Sequence, residues 1–295
     1  MGKVYEALSK SEAERSQSYL PALEPNAESS PGRKESDHNL EGFDFIDYSL
    51  SAPPASEVER IEQELATASK KRQWLAEPSH EATLDLARID PHLVAFYDSD
   101  LRASEQYDKL AVSLMTGAAM RPLKRVLIAS AEHGEGRTCV LLNLACALAR
   151  AKKRVLVIDA DLYRPSVMRL LGIESEAGLA EAISGARSPG EATIKVLPHG
   201  FSVLPARERV DNPAELLASP ALAEILETLE PDYDFILFDS SPLTTSAHSS
   251  LLARLTDTTL LVIRAGKTSS MQMAKAITPL KEDSIFGVVL NRFVQ

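Results

Sequence analysis

The sequence predicts an α/β protein built on a doubly wound, mostly parallel sheet, and three observations carry that expectation. A glycine loop at residues 130–138 stands between a short β-branched run and an Ala/Leu-rich segment. A second apolar run, Arg154-Val-Leu-Val-Ile-Asp159, ends in an aspartate followed two residues on by Asp161. A third, Phe235-Ile-Leu-Phe-Asp239, ends the same way. Open parallel sheets bind ligands at the carboxyl ends of their strands, so the three carboxylates should face the glycine loop.

From the amino terminus, Val4-Tyr-Glu-Ala-Leu8 lies in a short amphipathic helix expected over residues 1–16, too short to stand alone and suited to folding on a partner. Residues 17–55 are rich in Ser, Pro, Glu and Asn without sustained period, the composition of a disordered linker. A helical approach segment is expected over 56–120. In it Val58, Ile61, Leu65, Ala68 and Leu75 recur at spacings of three and four, in a seam broken at Arg72 with Trp74 beside it. Residues 121–295 are expected to form the domain that carries the glycine loop.

That domain opens with Arg125-Val-Leu-Ile-Ala, a strand, followed by Ser-Ala-Glu-His-Gly-Glu-Gly-Arg-Thr and then by Val140-Leu-Leu-Asn-Leu-Ala-Cys-Ala-Leu-Ala, a buried helix. Strand, glycine loop and helix is the order of a phosphate-binding loop. Gly134 and Gly136 let the backbone turn its N–H groups inward around phosphate oxygens, with the helix dipole behind them. Thr138 is placed to put a hydroxyl on Mg²⁺, and Asp239 to support the metal as a Walker B carboxylate. Taken singly, each strand-end aspartate reads equally as a turn or a helix cap; three of them after a glycine loop do not.

Composition sets the remaining bounds. With 32 basic against 42 acidic residues the chain is acidic, which disfavours nonspecific nucleic-acid binding. No apolar stretch reaches the length of a membrane span and no signal peptide opens the chain, so a cytoplasmic protein without a transmembrane segment is expected. Cys139 and Cys146 read as small buried residues under reducing conditions rather than a disulfide or metal site, and His133 is the histidine expected near a phosphate.

Residues 89–291, about two thirds of the chain, resemble the cytoplasmic kinase domain of the bacterial tyrosine autokinases that regulate capsule and exopolysaccharide export. The resemblance rests on Gly134-Glu-Gly136, Asp159-Ala-Asp-Leu-Tyr-Arg-Pro165, Asn212-Pro-Ala-Glu-Leu-Leu-Ala-Ser219, Phe238-Asp-Ser-Ser-Pro242 and Val262-Ile-Arg-Ala-Gly-Lys-Thr268. It implies a P-loop NTPase fold of the deviant Walker, SIMIBI-like type that binds ATP and Mg²⁺. By the same resemblance Gly134, Glu135, Gly136, Arg137, Thr138 and Cys139 hold the phosphates, and Thr138, Asp161 and Asp239 surround the metal directly or through water. Asp159, with Arg137, is implied in catalysis, orienting or deprotonating a tyrosine hydroxyl, and Asn291 in adenine contact. A membrane-spanning polysaccharide chain-length regulator is implied as partner and activator, which would hold the protein at the inner face of the cell membrane.

The departures from that family pattern share a direction. Arg137 stands where the loop ordinarily carries lysine, and a planar guanidinium is no substitute for a compact ammonium at a phosphate. Cys139 replaces a second hydroxyl. The family assembles into rings through Glu-x-x-Arg-x-x-Arg; here Glu105 is kept but Asp108 and Ala111 occupy the arginine positions, so a homo-oligomer would rest on a degenerate motif. The family usually ends in a tyrosine-rich tail, whereas this sequence ends at Val294-Gln295, which leaves Tyr5, Tyr19 and Tyr48 as the accessible candidate acceptors. Two readings follow, an ATP-dependent protein-tyrosine kinase weakened by Arg137, or a nucleotide-gated scaffold that has lost transfer. A partitioning-type assembly ATPase is the third; Glu132 stands where that group carries its signature lysine.

Overall fold

The computed structural model describes residues 78–97, 100–281 and 284–292. The peptide at 4–8, the linker 17–55, the seam at 58–75 with Trp74, and Tyr5, Tyr19 and Tyr48 lie outside them. The described residues contain eight strands, β1 His80–Thr83, β2 Arg125–Ser130, β3 Val155–Asp159, β4 Ile194–Leu197, β5 Phe201–Leu204, β6 Phe235–Asp239, β7 Thr258–Arg264 and β8 Ile285–Asn291. They make one sheet in the order β1-β4-β5-β3-β6-β2-β7-β8. Every described pairing is parallel except the β4–β5 hairpin.

The helices are α1 Leu101–Met120, α2 Arg137–Arg150, α3 Val167–Leu171, α4 Leu179–Ile183, α5 Pro189–Ala192, α6 Pro213–Leu217, α7 Pro220–Leu229, α8 Ala247–Leu255 and α9 Ser270–Ile277. They cover both faces of the sheet, because successive strand residues point to opposite sides. Val126 and Ile128 of β2 join α1 and α2 in one core, while Leu127 and Ala129 join α7 and α9 in the other. Val155 and Val157 against Leu156 and Ile158 divide β3 in the same way. Strands apolar on both faces, as β2, β3 and β6 are, are stable only when both faces are covered.

Residues 78–96 differ from expectation. The helical approach segment was expected to run over 56–120, yet His80–Thr83 adds an edge strand in parallel register with β4. Leu84, Ile89, Leu93, Ala95 and Phe96 then enter the α1/α2 core. The tertiary sheet edge overrides local pattern here, as β propensity permits for so short a segment.

Helix α1 begins at Asp100, whose carboxylate accepts from the Ala103 amide at 3.0 Å. Glu105 pairs with Lys109 at 3.1 Å, and Asp108 with Arg150 of α2 at 2.7 Å. Ala111 is buried at the α1/α2 contact, so this position packs the fold and offers nothing to a neighbour.

Candidate functional site

Parallel pairing of β3 with β6 sets Asp159 directly beside Asp239, and β2 on the far side of β6 delivers the loop at 130–138 above them. The loop follows from its glycines. Gly134 and Gly136 have φ of 78° and 91°, in the left-handed region where a Cβ is penalised. At Gly136 a Cβ would also stand 2.1 Å from Asn291 Nδ2. Gly136 is the N-cap of α2 and has no side chain to satisfy the helix's first amides, which are left for a ligand.

Glu135 fastens the loop from inside. It is buried, accepts from the Glu132 amide at 2.9 Å, and receives the Thr268 hydroxyl on its other carboxylate oxygen. Asn291, at the end of β8, donates to the Glu135 carbonyl at 2.8 Å. Asn291 therefore sits beneath the loop and on the wall of the adjoining groove.

Of the three residues expected at a metal, Thr138 and Asp239 meet directly, while Asp161 is bonded to Arg137 and Ser241. Thr138 Oγ1 donates to Asp239 Oδ2 at 2.6 Å, and Ser166 Oγ donates to Thr138 Oγ1 at 2.9 Å. Burial pushes the Asp239 carboxyl up to about 6, against the opposing pull of the Arg137 guanidinium and the Thr138 hydroxyl. Asp159 is fully buried and accepts from the amides of Asp161, Ser166 and Val167 at 3.2, 3.2 and 3.1 Å. Burial, with Asp239 beside it, raises its carboxyl well above the usual range. Those three amides fix the turn from β3 into α3 and leave Asp159 beneath the groove rather than on its surface.

Arg137 lines the groove but is tied to neighbouring side chains. Its guanidinium donates to Asp161 Oδ2 at 3.1 Å and to Ser130 Oγ, and its Nε lies 3.8 Å from Asp239 Oδ1 without a hydrogen bond. Asp161 also accepts from Ser241 Oγ at 2.7 Å. The arginine is 7% exposed, so its charge is spent mainly on the aspartates. Cys139 lines the groove, and burial pushes its thiol up to about 11, leaving it protonated and a weak donor.

Between the loop, the 161–170 turn and the segment at 90–94 runs a groove of about 670 Å³, within the range of small-ligand sites. Gly134, Arg137, Thr138, Asp161, Arg164 and Asn291 are among its walls. Among the described residues no three His, Cys, Asp or Glu side chains converge on one cation position. A magnesium ion here would rest on Thr138, Asp239 and ligand oxygens, the usual manner of a cation that keeps its waters. Uncapped amides, a hydroxyl and adjacent buried carboxylates fit such a pair. Sequence reasoning gave no individual role to Ser130, Ser166, Ser241 or Thr268; Ser130, Ser241 and Thr268 lie inside quoted motifs, but nothing local marks which hydroxyl turns inward.

A family model described as ParA, NUBPL iron-transfer P-loop NTPase, matches residues 123–293. The tyrosine-protein kinase YwqD of Bacillus subtilis (strain 168) is 31% identical over 207 residues, 70% of this chain and 87% of that protein. The succinoglycan biosynthesis transport protein ExoP of Rhizobium meliloti (strain 1021) is 32% identical over 57% of this chain, which spans 22% of ExoP. In three dimensions the kinase domain of the Escherichia coli tyrosine kinase ETK superposes with a TM-score of 0.63 at 26% identity, covering 74% of this chain and 93% of that one.

Proposed function

Because this chain belongs to the ParA-type P-loop NTPases, and among them to the family of the bacterial tyrosine-protein kinases, we propose that it is an ATP-binding, tyrosine-kinase-like regulator of exopolysaccharide or capsule biosynthesis and export. The observation that carries the reading is the 2.6 Å bond between Thr138 and Asp239 under a loop whose first helical amides are uncapped. The names of YwqD and ExoP support the kinase and polysaccharide parts of it.

Bound Mg-ATP supplies the phosphoryl group and the cation that spreads its charge. This chain's residues do the holding. Backbone amides from Gly134 to Cys139 would hold the phosphates, and Thr138, Asp161 and Asp239 would hold the metal directly or through water. Asp159 is a positioning residue that keeps the β3–α3 turn in register, and Asn291 braces the loop at its nucleotide side. The partner in this reading is a membrane-spanning chain-length regulator, which brings the protein to the inner face of the membrane; among the described residues no helix is long and apolar enough to cross one.

A second reading has its own support. The bonding of Arg137 to Asp161 favours a nucleotide-gated scaffold that binds and changes shape but transfers slowly or not at all. Equilibrium binding of ATP and ADP, with and without Mg²⁺, tests the ground common to both. Magnesium-dependent binding in the micromolar range is expected; no binding up to millimolar nucleotide would remove the site.

A further inference from the structure

The two edges of the sheet are built differently. Edge strand β1 has four residues, includes Glu81, and ties that carboxylate to Lys195 of its neighbour β4 at 3.5 Å. Short length and charge are how natural sheets keep an edge from pairing with another chain. Edge strand β8, at the far end of the strand order, runs over seven residues, Ile285-Phe-Gly-Val-Val-Leu-Asn291, without a charge or a proline. Beyond the ladder to β7, no backbone hydrogen bond among the described residues involves 285–290, so the outer row of amides and carbonyls is left open there.

The side chains of β8 divide between two faces. Phe286 and Val289 pack into the α1 core, with Phe286 so close to Gly117 that a Cβ there would stand 2.8 Å from its Cε2. Val288 and Leu290 lie in register with Leu261 and Ile263 of β7, and so on the opposite face, where they extend that aliphatic row outward. They are 43% and 59% exposed. Two uncovered aliphatic side chains and an open ladder on one strand are what an added strand covers.

The charge pattern selects the added strand. A chain of net charge −10 repels its own copies wherever the surface is acidic, and β8 is neutral throughout. In sequence, Glu282 and Asp283 stand just before the strand and Arg292 just after it. Antiparallel pairing of β8 with β8 of a second copy sets the arginine end of each strand beside the acidic end of the other, whereas parallel pairing sets like charges together. The α1 positions of the ring motif are committed inside the chain, Asp108 to Arg150 and Ala111 to the core.

We propose that β8 is a self-association edge that pairs antiparallel with β8 of a second copy, so that the sheet continues across a two-fold axis near Val288 and the Val288 and Leu290 side chains of both copies close over one another. The contact is isologous and does not depend on the nucleotide reading.

Sedimentation velocity of the purified chain, over a concentration series reaching millimolar, tests this. A reversible dimer is expected, and Val288→Lys and Leu290→Lys should each weaken it by roughly tenfold or more, since each presses an ammonium against aliphatic side chains. Thermal melts check that both variants fold. Val288→Cys gives a readout without a lysine. Across the two-fold axis the two thiols lie within disulfide reach, so mild oxidation should link the copies, while Val112→Cys, at a position on α1 that is 55% exposed, should not. If a lysine variant melts early, this linkage decides. A chain that stays monomeric throughout, a dimer unmoved by both lysine variants, or linkage at position 112 in place of 288 overturns the proposal.

Discussion

The Arg137 guanidinium donates to the Asp161 carboxylate at 3.1 Å, joining the loop position that ordinarily faces phosphate to an acid at the end of a different strand. A buried ion pair of this kind is costly to break one partner at a time, so the arginine is held where it is.

Arg137→Lys should raise any phosphotransfer or ATPase rate, by up to roughly 10²-fold, because a shorter, compact cation can leave the aspartates and stabilise developing charge. Single-turnover rates of the two proteins check this. A lower rate in the lysine form would make the arginine an adapted catalytic group.

Asp239→Asn should weaken Mg-nucleotide binding while leaving metal-free binding nearly intact. The amide keeps a bond to Thr138 but removes the negative charge that supports a cation. Affinity measured across a magnesium titration is the check, and unchanged metal dependence would take Asp239 out of that role.

Gly136→Ala should destabilise the protein by more than about 1–2 kcal/mol, the cost of left-handed backbone alone, because the new Cβ also meets Asn291 Nδ2 at 2.1 Å. Gly134→Ala has the same backbone penalty with nothing within 4 Å, so it is the milder change. Thermal melts of the pair decide the point: equal midpoints would mean that Asn291 gives way freely.

Cys139 and Cys146, both pushed up to about 11 by burial, should react slowly with alkylating reagents at pH 8 in the native protein. Both should become reactive on unfolding in denaturant, where a thiol returns to its ordinary range near 9. Fast native labelling of Cys139 would show that the loop opens on the labelling timescale.

The legible parts of this molecule are those written in contiguous residues. The runs that became β2, β3 and β6 are apolar throughout, a pattern that only a sheet covered on both faces satisfies, and the glycine loop and helix α2 follow β2 without interruption. Strand β1 was not legible: His80–Thr83 alternates weakly, and its partner β4 lies more than a hundred residues away.

By itself the sequence determined the doubly wound fold, the left-handed glycines of the loop and the placing of three aspartates at strand ends, since each is set by neighbours within a few residues. Only the tertiary structure decided where side chains with several possible partners point. Arg137 goes to Asp161, Asn291 reaches the Glu135 carbonyl, and the Val210 amide carries Arg209 to the turn before Arg164. Those choices belong to the strand order, which brings together groups up to 156 residues apart, and to burial, which favours the Arg137 guanidinium against the Asp161 carboxylate.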